Sequence, residues 1–189
     1  MAAAPSEQIK YQTTAMHDLV AGVKPDQWSN PTPCEKWTVR DVVNHLVGGG
    51  QMIAASFRGE PAVDADGELA DLLGDDPVGA IDATIAAVNA AADAPGAMDE
   101  MVVLPFATLP AEVAMGIAKF DILVHCYDLS VSTGQSFDPP ADVVAEGRTL
   151  AEMLIQPELR GSGPFGDELE APAGATPMQQ LAAFCGRTV

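Results

Sequence analysis

Between Thr38 and Phe57 apolar residues return every three or four positions, at Val39, Val42, Val43, Leu46, Val47, Ile53, Ala54 and Phe57. A helix turns once every 3.6 residues, so this spacing lays one apolar face along it, whereas a half-buried strand would alternate. Similar blocks recur along the chain, each cut by proline or glycine. A chain written this way buries its apolar stripes by packing helix on helix, and the expected class is all-α.

The first block runs from Glu7 to Val23, with Ile9, Met16, Leu19, Val20 and Val23 as its stripe, and stops near Lys24-Pro25. Pro31 and Pro33 exclude regular structure from Trp28 to Trp37. Thr38 then caps the second helix, and Asp41 three residues on completes a short capping box. The Gly48-Gly49-Gly50 run weakens that helix, so either it kinks there or another backbone approaches closely. Pro77 suits the first turn of a third helix, Val78 to Ala92, which Pro95-Gly96 stops. Met98 to Phe106 reads as a short extended segment. The fourth helix is expected from Leu109-Pro110 to about Ser132, with Gly134 as its stop and a stripe of Val113, Ile117, Phe120, Val124, Tyr127 and Val131. A fifth helix covers Pro140 to about Ile155. The tail is loop where Gly161, Gly163, Pro164, Gly166, Pro172 and Gly174 crowd together, and a last short turn, Pro177 to Phe184, docks back on the body. With no internal repeat and no linker, residues 1–189 read as one domain.

Charge narrows the partners. Among 189 residues, 27 Asp and Glu face 9 Lys and Arg, a net charge of −18 that repels phosphate backbones and anionic lipid surfaces. Nucleic acid and membrane are therefore excluded as expected partners, while the charge gives no positive clue to a substrate. The acidic stretch Asp64, Asp66, Glu68, Asp71, Asp75 and Asp76 reads as a solvated loop with a short helical turn, because its spacing does not match an EF-hand. Cys34, Cys126 and Cys185 form no C-x-x-C pair, which points to reduced thiols and a cytoplasmic location. No run approaches the ~18 apolar residues of a membrane span, and Met1-Ala-Ala-Ala-Pro-Ser lacks the features of a signal peptide. An Ala-rich helix face can pair with a second copy or stay alone, which leaves a homodimer open.

The chemistry gathers on two helices. With Val113 at zero and about 100° per residue, Asp121, His125 and Asp128 fall at roughly 80°, 120° and 60°, on one flank of the stripe. A carboxylate and an imidazole at i, i+4 stand one above the other and can share a divalent ion. His45 borders the apolar stripe of the second helix, with Asp41 one turn earlier placed to accept the other imidazole N–H. If these two helices pack side by side, His45, Asp121 and His125 form a three-ligand site with a position left for water or substrate. The plainer alternative is a set of hydrogen-bonded boundary residues, since Asp-x-x-x-His arises often by chance. His17, beside Asp18, reads as a surface residue. Cys126 points about 100° away from His125 and lies outside the set. Cys34 is either a reactive thiol or a packed loop residue.

The stretch Thr32-Pro-Cys-Glu-Lys-Trp-Thr-Val-Arg-Asp-Val-Val-Asn-His45-Leu-Val-Gly resembles the signature of the actinobacterial branch of the DinB-like superfamily. That branch includes proteins similar to the N-terminal domain of mycothiol-dependent maleylpyruvate isomerase. Asp121-Ile-Leu-Val-His125-Cys-Tyr-Asp128-Leu-Ser-Val-Ser-Thr-Gly134 is similar to its second motif, and Phe165-Gly-Asp-Glu-Leu-Glu-Ala-Pro and Leu181-Ala-Ala-Phe-Cys-Gly-Arg resemble the ends of its short members. The resemblance implies a four-helix bundle, here with an additional C-terminal helix and a loop-rich tail. It also implies a divalent metal held by His45, Asp121 and His125. Their two-nitrogen, one-oxygen set is expected to take zinc ahead of nickel, iron or manganese, with Asp41 and Asp128 orienting the ligands. Related sites often carry Glu or His where this chain has Asp121, and Trp where it has Tyr127. No counterpart of the isomerase's extra C-terminal domain follows, so its substrate does not carry over.

Three functions are expected from these residues together with the resemblance, which alone brings in mycothiol and a small-molecule substrate. The first is a mycothiol-dependent isomerase or S-transferase acting on a small electrophile, with mycothiol as co-substrate. The second is a non-catalytic metal or small-ligand binding module with a vestigial site. The third is a structural bundle whose stability ignores chelators, since only a ligand that binds the folded state raises its stability.

Overall fold

Thr38 and Asp41 start α2 (Val39–Phe57) as their spacing predicts: the Asp41 N–H donates to the Thr38 hydroxyl, and the Thr38 N–H to the Asp41 carboxylate at 2.8 Å. The computed structural model describes residues 4–60, 70–161 and 165–189. The expected loop at Asp64, Asp66 and Glu68, and the tail positions Gly163 and Pro164, lie outside the described residues. Around α2 stand α1 (Pro5–Ala21), α3 (Pro77–Ala92) and α4 (Ala111–Thr133), followed by α5 (Ala141–Leu154) and α6 (Pro177–Phe184). Helix α2 packs on α3 and α4, α1 packs on the same two, and α5 and α6 cover the far side of α4.

The chain is mostly helical, but not wholly so. Residues Met101–Leu104 (β1) and Ala107–Pro110 (β2) pair antiparallel, with Met101 opposite Pro110 and Leu104 opposite Ala107. The expected start of the fourth helix at Leu109-Pro110 is therefore corrected to Ala111. Pro110 takes the cap position, and Val102 and Leu104 bury themselves against the helices while Met101 and Val103 face out. Period-two burial over four residues was too short a signal beside a 23-residue helix.

The glycine run does not interrupt α2, and among the described residues no other backbone comes within 3.8 Å of a Cβ placed there. Helix α2 is continuous, and the close neighbour is a side chain: a Cβ on Gly50 would lie 2.3 Å from Cγ2 of Thr84 on α3. Among the described residues, a Cβ on Gly49 would meet nothing within 4 Å.

Helix α4 also departs from its expected stripe. Val113 and Val131 are exposed, whereas Ala111, Ala114, Leu123, Cys126 and Leu129 are buried. The reason is position: one side of α4 joins the core with α1, α2 and α3, and the other joins a core of Val144, Ala151, Met178 and Leu181 from α5 and α6. A helix buried on two sides has no single apolar stripe to find. Its stop is as expected, with Gly134 at φ 69° closing the helix in the left-handed region that glycine adopts without penalty.

Candidate metal centre

The packing of α2 beside α4 brings His45 and Asp121 face to face. The His45 Nε2 lies 3.2 and 3.3 Å from the two Asp121 oxygens. One turn along α4, the His125 Nε2 lies 3.5 Å from Asp121 Oδ1. One donor atom from each of these three residues lies within 4.8 Å of the others. Two nitrogens and an oxygen bound at about 2.0–2.2 Å to one tetrahedral ion would stand roughly 3.3–3.5 Å apart, so the donor set fits a divalent metal. All three residues line a cavity of about 600 Å³.

His125 is held from behind. Its Nδ1 lies 2.9 Å from Asp128 Oδ2, and Arg187 Nη2 lies 3.4 Å from the same oxygen. Asp128 is wholly buried and Arg187 nearly so, and the pairing of charges is what makes their burial tolerable. Burial opposes the Arg187 charge, but Asp128, with Cys34 and Cys185, outweighs it and raises the guanidinium above its usual range. With the Nδ1 proton given to Asp128, Nε2 is the nitrogen left for a ligand role. Arg187 arrives there because the tail crosses itself: Gly186, at φ 83°, passes so close to Gly166 that a Cβ on it would lie 2.6 Å from the Gly166 Cα. The Arg187 N–H donates to the Ala182 carbonyl and its Nη1 to that of Cys185.

The proline-rich loop supplies the cover. A turn closes where the Trp37 N–H donates to the Cys34 carbonyl at 3.1 Å, with Lys36 at φ 73°. This turn lays the Trp37 ring against both imidazoles, 4.7 Å from His45 and 5.6 Å from His125 between ring centroids. The loop is itself fixed to the end of α4, where Asn30 Nδ2 donates to the Ser132 carbonyl and Gln27 Nε2 to that of Thr133.

Charge at the centre is mutual. For Asp121, burial favours the neutral form, but the His125 charge and the hydrogen bond from His45 outweigh it and hold the carboxyl below its usual range. For His45, burial likewise opposes the charge, and the hydrogen bond and charge of Asp121 override it and raise the imidazole. Cys34 is different. Burial raises its thiol to about 11, so it is a protonated thiol at neutral pH. It stands with His125 and Asp128 in a second group of three donors, but Asp128 already serves the imidazole and Arg187 and does not line the cavity.

The sequence-derived residues thus separate. His45, Asp121 and His125 converge, and Asp128 stands behind His125. Asp41 does not join them: its carboxylate takes the Thr38 N–H and hydroxyl in the cap, and among the described residues no hydrogen bond links it to His45. His17 pairs with Asp82 on α3 at 2.7 Å, on the surface. Cys126 turns into the core, where burial raises its thiol strongly. Trp37 and Arg187 were missed. One signal for Arg187 was a lone charge closing the apolar run Leu181 to Cys185; for Trp37 it was a bulky aromatic next to the cap of the helix that carries His45.

Fold and site together define a mostly helical protein whose α2 and α4 bring two imidazoles and a carboxylate to the wall of one cavity. The family profile described as the mycothiol maleylpyruvate isomerase N-terminal domain matches residues 10–130, and this chain belongs to that family. Two uncharacterized proteins from two strains of Mycobacterium tuberculosis are each 38% identical to it over 174 residues, covering 90% of this chain and 91% of their own. No solved structure matches it. Among the described residues, no helix is long and apolar enough to cross a membrane.

Proposed function

We propose that this protein binds one divalent metal ion through His45, Asp121 and His125 and uses it to activate mycothiol, for isomerisation of or transfer to a small electrophile. The observation that carries this reading is the convergence of the three donors, within 4.8 Å, on a cavity of about 600 Å³. Family membership supports the choice of thiol, and the two-nitrogen, one-oxygen set favours zinc while also suiting nickel, iron or manganese. Helices α1 to α4 then read as the four-helix bundle of the superfamily.

A bound divalent ion lowers the pKa of a coordinated thiol, so that a thiolate exists at neutral pH. The chain's own residues do the rest. Asp128, backed by Arg187, keeps the His125 proton on Nδ1 and turns Nε2 toward the site. Trp37 lies over both imidazoles and excludes water from one side. Burial raises the Cys34 thiol and so disfavours its thiolate, and the attacking sulfur is assigned to the co-substrate. The three unpaired cysteines support a reducing, cytoplasmic setting.

The test is metal content by elemental mass spectrometry on untagged protein beside a His45→Ala/His125→Ala double variant. Close to one equivalent in the wild type and background in the variant is the expected result. A wild type that carries none and takes none up on reconstitution would sink the proposal. Stoichiometric metal without turnover of any electrophile in the presence of mycothiol would leave a non-catalytic binding module.

A further inference from the structure

Behind the His45–Asp121 pair, on the side away from Trp37, lies a second, smaller cavity of about 190 Å³ between α1, α2, α3, α4 and the hairpin. His45 and Asp121 line both cavities, so the two volumes adjoin at that pair. The smaller one is walled by apolar side chains, among them Met16, Ile53, Val88, Leu104 and Ile122. Two threonines also line it, but their hydroxyls are turned back into their own helices: Thr13 donates to the Ile9 and Lys10 carbonyls, and Thr84 to that of Ala80. Polar groups therefore concentrate at one end, where the metal donors stand. A water in the body of this chamber would lack the two to four partners it needs, whereas apolar chambers of similar size accept a benzene ring.

Gly49 makes the chamber more than a packing fault. It sits one helical turn after His45 on the same face and lines the cavity. Gly50 is explained by contact with Thr84, but among the described residues a Cβ on Gly49 would meet nothing within 4 Å. A glycine inside a helix costs stability relative to alanine, and none of the described residues requires it at position 49. What its missing side chain does is leave volume. Phe106, 63% exposed, lines the hairpin end, so the wall reaches the surface there.

We infer that this chamber is a binding compartment for the apolar part of the substrate, a group the size of one aromatic ring, held so that the polar, reacting end reaches His45 and Asp121. The inference rests on the proposed metal chemistry for its second half and stands without it for the first. It assigns the substrate class: an electrophile carrying an aromatic ring or an equally compact apolar group, with the thiol approaching from the larger cavity.

The experiment has two arms on the full chain. In the first, fluorobenzene is titrated into metal-free protein and followed by fluorine NMR. Saturable binding is expected, weakened at least tenfold in Gly49→Leu, whose side chain fills the chamber. Gly49→Ala, which adds one methyl to open space, should weaken binding less and keeps the arm decisive if the larger side chain prevents folding. In the second, acetohydroxamate and benzohydroxamate are titrated into zinc-loaded protein. Benzohydroxamate should bind at least tenfold more tightly, and that preference should collapse in the Gly49 variants while acetohydroxamate affinity holds. Fluorobenzene that does not saturate, or binds independently of Gly49, overturns the chamber. Fluorobenzene binding without a benzohydroxamate preference overturns the link between chamber and metal. Intact fluorobenzene binding in a protein that takes up no zinc overturns the metal reading and leaves the chamber standing.

Discussion

The two cavities on either side of the His45–Asp121 pair are built by different parts of the molecule. The inner one is lined mainly by α1, α2, α3 and α4, with Leu104 and Phe106 from the hairpin. The outer one is walled largely by irregular chain, from Pro33 to Trp37 on one side and by Gly161, Phe165 to Leu169 and Gly186 to Thr188 on the other, with α4 as its floor. Helix faces set a volume by which side chains they omit, and loops set one by what they fold over. The inner compartment should therefore respond to side-chain size, and the outer one to the tethers that hold its walls in place.

The largest expected effect falls on the outer tether. Arg187→Ala leaves Asp128 buried without its cation and should cost about 3 kcal/mol, read as a lower midpoint in chemical denaturation. Arg187→Lys should restore part of it. A loss below about 1 kcal/mol would mean that the tail does not hold the wall.

The inner wall can be probed with two adjacent glycines. Gly50→Ala drives a methyl into the stiff side chain of Thr84 and should destabilise by about 1–2 kcal/mol despite the better helix former. Gly49→Ala enters open space and should stabilise by up to about 1 kcal/mol. Thermal melts of the two variants with the same sign would erase the contrast drawn between these positions.

Thr38→Ala removes the cap that starts α2 just after Trp37, and should cost about 1 kcal/mol by denaturant titration. The smallest effect is a pH dependence. The hydrogen bond from Arg40, with help from the Leu73 N–H, holds the Asp71 carboxyl below its usual range. A depressed carboxylate adds stability that is full above its unfolded pKa and is lost as pH falls through the folded value. The gap in melting temperature between wild type and Asp71→Asn should therefore be open at neutral pH and close below about pH 4. A gap that widens on acidification would contradict the pairing.

Much of the helical order was legible because its signals are local. Thr38 and Asp41, Pro77 and Gly134 act within a turn of where they stand, so the starts of α2 and α3 and the end of α4 follow from residue type alone. The hairpin was read only as an extended segment, because Ala107 to Pro110 gain their strand character from partners in Met101 to Leu104 and from burial of Val102 and Leu104. The stripe of α4 misled for a related reason: Val113 and Val131 look buried on a helix with one neighbour, and α4 has neighbours on both sides.

The candidate site divides along the same line. Asp121 and His125 belong together on any helix, since i, i+4 is a fixed distance, and Asp128 follows one turn later. That His45 meets them depends on α2 packing against α4. Which carboxylate serves which imidazole was also decided there: Asp41, four residues before His45, is taken by the cap, while Asp128 is buried against His125 and Arg187. The sequence by itself determined where the helical runs lie, the cap of α2 and the donors that α2 and α4 carry, because these depend on interactions within a few residues. Tertiary structure alone decided that Trp37 covers the imidazoles, that Arg187 returns from the tail to brace Asp128, and that Gly49 leaves a chamber behind the His45–Asp121 pair. These depend on distances between parts of the chain far apart in sequence, which side-chain packing sets and local pattern does not encode.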